Sequence, residues 1–175
     1  MIAVLNQFIS RSANRCRPFY LLMNKWKGFE WSKYCTLAFQ QLEEYLSRPP
    51  IMSRLEADEV LSAYIAVALH AISLVLIWID GGVQQPVYYV SKSLHEVELC
   101  YLPLEKAILA IVHATRKLPH YFQAHIVVVL TQLPFKFVLW SANYTGRIAK
   151  WNIAKWNTVL GAFDIKYMPR TSIKG

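Results

Sequence analysis

Glu105 is the acidic residue with the most suggestive placement. It sits in Leu102-Pro103-Leu104-Glu105-Lys106, where a proline suited to a first turn predicts the start of a helix. On the residues alone its ordinary role is modest, because a glutamate early in a helix gains about 0.3–1 kcal/mol from the helix dipole. The other candidates are scattered. No His-Glu-x-x-His pattern occurs; His95-Glu96 reads as a solvated turn and His70 as a core or hairpin residue. Cys16, Cys35 and Cys100 are odd in number, and no Cys-x-x-Cys pair exists. Neither a zinc site nor a disulfide framework follows, and the thiols read as reduced, which places the chain inside a cell. The Tyr-x-Asp-Asp segment of a polymerase is also missing.

Charge points to partners rather than to catalysis. Nineteen Lys and Arg face eleven Asp and Glu, a net of +8. The excess is uneven: residues 1–60 carry 8 basic and 6 acidic side chains, residues 61–175 carry 11 and 5. A basic domain suits a phosphate backbone, although a loss of acids raises net charge whatever the partner.

These residues must be positioned by elements the pattern reveals. Residues 1–48 read as helical: Leu5, Phe8, Ile9 and Ser12 fall at helical spacing before Pro18. Ser32 is a predicted N-cap, followed by an apolar stripe of Cys35, Phe39, Leu42 and Leu46. Pro49-Pro50 ends that helix, and the polar stretch Ile51–Glu59 is the expected domain boundary. Val60–Val67 and Ser73–Ile79 read as adjacent strands joined by a turn at Leu69-His70-Ala71. The apolar run Tyr64–Ile79 is shorter than the roughly 20 residues of a spanning helix, and Gly81-Gly82 follows it, so a strand pair is favoured over a membrane segment. The start, Met1-Ile2-Ala3-Val4, lacks the pattern of a signal peptide. A third strand is predicted at Pro86–Ser91, a helix from Pro103 to Leu118, a strand at His125–Thr131, a helix at Ile148–Leu160 and a last strand at Phe163–Tyr167. That order predicts a mixed sheet with helices packed on it. Ile148-Ala149-Lys150-Trp151-Asn152 is repeated at once as Ile153–Asn157. Five residues turn a helix by about 140° beyond a full turn, so Trp151 and Trp156 cannot both face the sheet.

Several words of this sequence resemble one family. Pro86-Val87-Tyr88-Tyr89-Val90-Ser91-Lys92, Leu102–Lys106 and Tyr167–Gly175 are similar to the ribonuclease H region of Gypsy-class LTR retrotransposon polyproteins. Phe8–Ser12 and Phe29-Glu30-Trp31 resemble the end of the reverse transcriptase that precedes it. The resemblance implies an α/β fold, a ribonuclease H-like mixed five-stranded sheet with flanking helices preceded by a small helical segment. Its implied domains are residues 1–50, a helical connection segment, and residues 58–175, a ribonuclease H-like domain truncated at its C-terminus.

The family cleaves the RNA strand of RNA–DNA hybrids with two Mg²⁺ ions held by four acids. Matched by flanking residues, Leu69 in Val67-Ala68-Leu69-His70-Ala71 stands where the first acid belongs. Glu105 matches the second and is the one retained. Gln132, in Leu130-Thr131-Gln132-Leu133-Pro134, stands at the third, with no Asp or Glu between Ala124 and Lys136. The fourth lies downstream of Gly175. The resemblance therefore implies an ancestral metal nuclease whose copy here holds no Mg²⁺, with a buried Leu69 making the pocket apolar.

Hybrid or other nucleic-acid binding could survive without acids, since backbone contacts use charge. Lys92, Arg116, Lys117, Arg147 and Lys150 are the candidates, each with a plain solvated side chain as the ordinary alternative. A third reading is an interaction protein using apolar surface at Leu69, Trp140 or the second tryptophan of the repeat. No membrane partner is implied, and either the cytoplasm or the nucleus fits.

Overall fold

The computed structural model describes residues 8–23, 30–47, 59–135 and 147–170, with the backbone alone for 147–152. Three helices come first: α1 (Ser12–Arg15), α2 (Arg17–Met23) and α3 (Lys33–Ser47). Three strands follow, β1 (Leu61–Val67), β2 (Ala71–Asp80) and β3 (Val83–Ser93). The remainder is α4 (Glu96–Leu99), α5 (Pro103–Lys117), α6 (Pro119–Ala124), β4 (Val127–Leu130), α7 (Arg147–Leu160) and β5 (Ile165–Met168). All the predicted strands form, within a few residues of their expected ends. Leu5 and the Ile51–Asp58 part of the expected boundary lie outside the described residues.

The strands make one mixed sheet in the order β3-β2-β1-β4-β5. β1–β2 and β2–β3 are antiparallel, whereas β1–β4 and β4–β5 are parallel. Gly81 and Gly82 close the β2–β3 hairpin with φ of 53° and 87°. A two-residue turn with positive φ at both positions matches the twist of its strands and favours glycine there. Pro86 sits at a register shift beside Leu76 and Ile77, on the edge strand. A proline removes a ladder donor, and an edge position at an irregularity tolerates that loss.

Alternation divides the sheet into two faces. Leu61 and Ala63 of β1, Ile72, Leu74 and Leu76 of β2, and Val127 and Val129 of β4 are buried on the face covered by α5 and α7. α5 is buried on nearly every side, from Ala107 through Val112 to Ala114, because the sheet lies on one flank and α7 on the other. Ile153, Trp156 and Leu160 supply the inward stripe of α7. The second copy of the repeat thus packs into the core through Trp156, while the side chain of Trp151 lies outside the described residues.

The N-terminal helices lie against the opposite face. The Ala13 N–H donates to Ser91 Oγ at 2.9 Å, and the Ser10 N–H donates to the Tyr45 hydroxyl at 3.2 Å. A small second core joins Cys16, Phe19, Leu22 and Cys35.

Three expectations need correction. The helical spacing of Phe8, Ile9 and Ser12 does not give one helix: Arg11 is left-handed, α1 starts only at Ser12, and Pro18 lies in the first turn of α2, where a missing N–H breaks no hydrogen bond. The helix predicted to reach Leu118 is followed at once by α6, with Pro119 in its first turn. His95-Glu96 is no simple turn, since the Glu98 carboxylate accepts the His95 N–H at 2.9 Å and starts α4. Among the described residues, no helix is long and apolar enough to cross a membrane; the apolar run Tyr64–Ile79 folds as β1 and β2.

Candidate site at the carboxyl edge of the sheet

Parallel pairing sets where chemistry could occur. β1 and β4 run side by side, with Tyr64 opposite Leu130. The pairing ends there; Ala66 and Gln132, two residues further along each chain, both line the groove beyond it. The first turn of α5 lies across the same edge. With Val75 and Ile77 of β2, Gln84 and Tyr89 of β3 and the Ser10–Arg11 segment, these elements line a groove of about 850 Å³ that runs along the sheet face and past the carboxyl ends of β1 and β4.

The side chains presented there do not suit a metal. β1 contributes Tyr64 and Ala66, α5 contributes Pro103 and Ala107, and the segment after β4 contributes Thr131 and Gln132. Among the described residues no Asp or Glu lines the groove, but Arg11 and Arg170 do. Magnesium is a hard dication whose protein ligands are carboxylates. Neutral oxygens beside two guanidinium groups do not fit it. Among the described residues, no group of three or more His, Cys, Asp or Glu could hold a metal ion.

The predicted site residues separate. Leu69, expected to be buried where metals would sit, is instead 69% exposed, in the β1–β2 turn beyond the groove. Ala68 N–H donates to Ala71 O at 2.8 Å and closes that turn, which carries Leu69 past the strand end. Its apolar side chain therefore cannot fill the groove. Glu105 is buried, and its carboxylate accepts the Leu102 N–H at 2.8 Å. That contact caps α5, and Glu105 is not among the groove-lining residues. Its neighbour Lys106 is also buried, with Nζ donating to Leu69 O at 3.5 Å. Gln132 alone of the matched positions lines the groove.

The basic candidates fall into two sets. Lys92 is half-buried and ion-paired with Glu98. Burial alone would raise the Glu98 carboxyl, but the Lys92 hydrogen bond, the His95 N–H and the Lys92 charge outweigh it and hold it below its ordinary value. Arg116 and Lys117 are exposed in the last turn of α5, where cations complement the helix dipole. All three surround His113, whose pKa is pushed down to about 4 by burial first and then by Lys92, Lys117 and Arg116. The imidazole is therefore neutral near pH 7, inside a cationic patch. The side chains of Arg147 and Lys150, like Trp140, lie outside the described residues.

The family model described as an RNase H-like domain found in reverse transcriptase matches residues 31–129. The chain belongs to that family. This RNase H-like domain is 25% identical over 174 residues to the transposon Tf2-3 and Tf2-4 polyproteins of Schizosaccharomyces pombe (strain 972 / ATCC 24843). The alignment covers 94% of the chain but 13% of each relative. In fold, the domain is similar to a foamy viral protease–reverse transcriptase solved with double-stranded DNA, at a TM-score of 0.76 and 16% identity. That likeness covers 99% of this chain and 31% of the viral one. A foamy viral protease–reverse transcriptase solved with an RNA/DNA hybrid gives a TM-score of 0.74 at 15% identity, over 98% of this chain and 24% of that one.

Arg11, Arg170 and Ala66 carry no local signal in the sequence as groove residues, since they come to one groove only through the tertiary fold.

Proposed function

We propose that this chain is a non-hydrolytic RNase H-like domain of a reverse-transcriptase polyprotein that contacts nucleic acid by charge. One observation carries the reading: the groove lined in part by Ala66, Ala107 and Gln132 presents no carboxylate among the described residues. Two dications held close together need several negative oxygens. Losing about 5 kcal/mol of transition-state stabilisation slows a reaction several-thousand-fold. Glu105, the one family acid retained, acts here as a capping residue. Mg²⁺, the family's metal, has no role in this reading.

The cationic surface around His113 supports a nucleic-acid partner, and foamy viral relatives of the fold were solved with double-stranded DNA and with RNA/DNA hybrid. Arg116 and Lys117 supply exposed charge, Arg147 and Lys150 are further candidates, and Lys92 is committed to Glu98. Residues 1–50 serve as a helical connection and 58–175 as the RNase H-like domain, the first docked on the second through the Ala13–Ser91 hydrogen bond. Three free thiols fit a reducing, intracellular setting.

The test is cleavage of a labelled RNA–DNA hybrid by the purified chain with Mg²⁺ or Mn²⁺. No cleavage above a protein-free control is expected. Turnover that Glu105→Gln abolishes would overturn the reading. Hybrid affinity should fall steeply with salt.

A further inference from the structure

The groove without acids is not empty of chemistry. Arg11 and Arg170 come from opposite ends of the described chain and both line it. No carboxylate among the described residues forms an ion pair with either; the salt bridge found there joins Lys92 and Glu98. The Arg170 guanidinium lies over the Tyr64 ring, its carbon 5.3 Å from the centroid. Tyr64 is held in turn, because its hydroxyl accepts from Gln84 Nε2 at 2.9 Å.

Arg11 has an unusual backbone. Its φ of 53° and ψ of 37° are left-handed, and its carbonyl accepts the N–H groups of Asn14 and Arg15. That turn starts α1 at the groove's rim. A left-handed arginine costs stability that glycine would not. Retaining the guanidinium there is consistent with a use for it.

These parts match one class of ligand. A guanidinium is shaped for phosphate oxygens, and its planar face also stacks on π systems. Aromatic and guanidinium faces beside a basic groove are the elements of single-strand recognition. A volume of about 850 Å³ is that of a small-ligand site. It can admit a nucleotide from a single strand, whereas a duplex would touch its rim. We propose that this groove, along the sheet face and past the carboxyl ends of β1 and β4, binds a single strand of nucleic acid. Arg11 takes a phosphate, and Arg170, backed by Tyr64, offers its outer face to an unpaired base. This rests on the non-hydrolytic reading, since ligated metals in the groove would repel both arginines.

Fluorescence anisotropy of the full chain with labelled oligo(dT), oligo(U), duplex DNA and RNA–DNA hybrid, across a salt series, tests it. The single strands should bind more tightly than either duplex. The log–log salt slope on single strands should shrink by about 0.7 for each phosphate that a variant no longer neutralises. Arg11→Gly should show that smaller slope while allowing the same backbone. Arg170→Ala, at an exposed position, should weaken single-strand binding. Lys33→Ala, exposed in α3 and outside the groove, is the control and should leave single-strand affinity within about twofold. Circular dichroism melts confirm that each variant is folded. Unchanged binding in folded Arg11→Gly/Arg170→Ala overturns the groove proposal, as does duplex preference that depends on Arg116 and Lys117. The latter result leaves the charge-contact reading intact, whereas metal-dependent hybrid cleavage sinks the non-hydrolytic reading itself.

Discussion

The rings of Tyr101 and Trp156 meet edge to face, with centroids 5.9 Å apart and planes at 70°. Through this pair the segment before α5 is held against α7. Trp156 is buried beside Ile153 and Leu160, so its indole is part of the main core. Removing a buried tryptophan side chain costs about 3–5 kcal/mol. Trp156→Ala should lower stability by that amount in urea unfolding, and Tyr101→Leu by less, because its ring is only partly buried. A drop under about 1 kcal/mol for Trp156→Ala would mean that the second repeat does not pack as described.

His113 gives the fold a pH dependence in a definite window. Its folded pKa, about 4, lies below the ordinary value of 6.5. The unfolded chain therefore binds more protons between those values, and stability rises with pH there. His113 contributes fully above about pH 6.5, and that contribution is lost as the pH falls toward 4. The groups acting on it are Lys92, Lys117, Arg116 and Glu98. Glu98 is also depressed, so its own contribution disappears lower, as the pH falls below the ordinary carboxylate range. Urea midpoints measured from pH 7 to pH 4 should decline, and His113→Gln should flatten that decline. A His113→Gln profile parallel to the parent would exclude the mechanism.

The strands are legible in sequence because the run from Tyr64 to Ile79 is apolar and rich in Ile and Val, and because Gly81-Gly82 marks a tight turn. The helices α4 and α6 are not, since four and six residues give too little periodicity to register. The placement of the site is harder still. Flanking words such as His70-Ala71 align a sequence, but they do not say which side chain points into a groove. Leu69 lies in the turn, whereas Ala66, still within β1, lines the groove together with Gln132. Only the folded chain separates the two. Arg11 and Arg170 are invisible for a different reason: nothing near either one announces the other.

Arg11 also makes a stability prediction that is independent of ligand. Its φ of 53° is the single positive value among the described non-glycine residues. The left-handed region costs such a residue roughly 1–2 kcal/mol. Glycine escapes that strain but adds freedom to the unfolded chain, which offsets part of the gain. Arg11→Gly should be neutral to stabilising by about 1 kcal/mol in chemical denaturation, and Arg11→Val should destabilise, because β-branched side chains tolerate this region worst. A markedly destabilised Arg11→Gly would show that the guanidinium holds the fold together.

The strongest discrimination between the two placements of the lost acids is reconstruction. Leu69→Asp puts a carboxylate on an exposed turn that does not line the groove. Ala66→Asp, Ala107→Glu and Gln132→Asp put three carboxylates on the three elements that line one groove. Oxygen ligands converging there would create a site for a hard dication. A ligand that binds only the folded state stabilises it by about 2.7 kcal/mol at a hundred times its dissociation constant. The triple variant should therefore show a melting temperature that rises with Mn²⁺ or Mg²⁺, most clearly when Arg170→Ala removes a competing cation. A chain carrying Leu69→Asp with Gln132→Asp should show no such rise. Ala107 is deeply buried, so its glutamate lowers the metal-free melting temperature, and the decisive quantity is the metal-induced shift of each variant against itself. An equal shift in the Leu69→Asp chain would return the metal position to the turn.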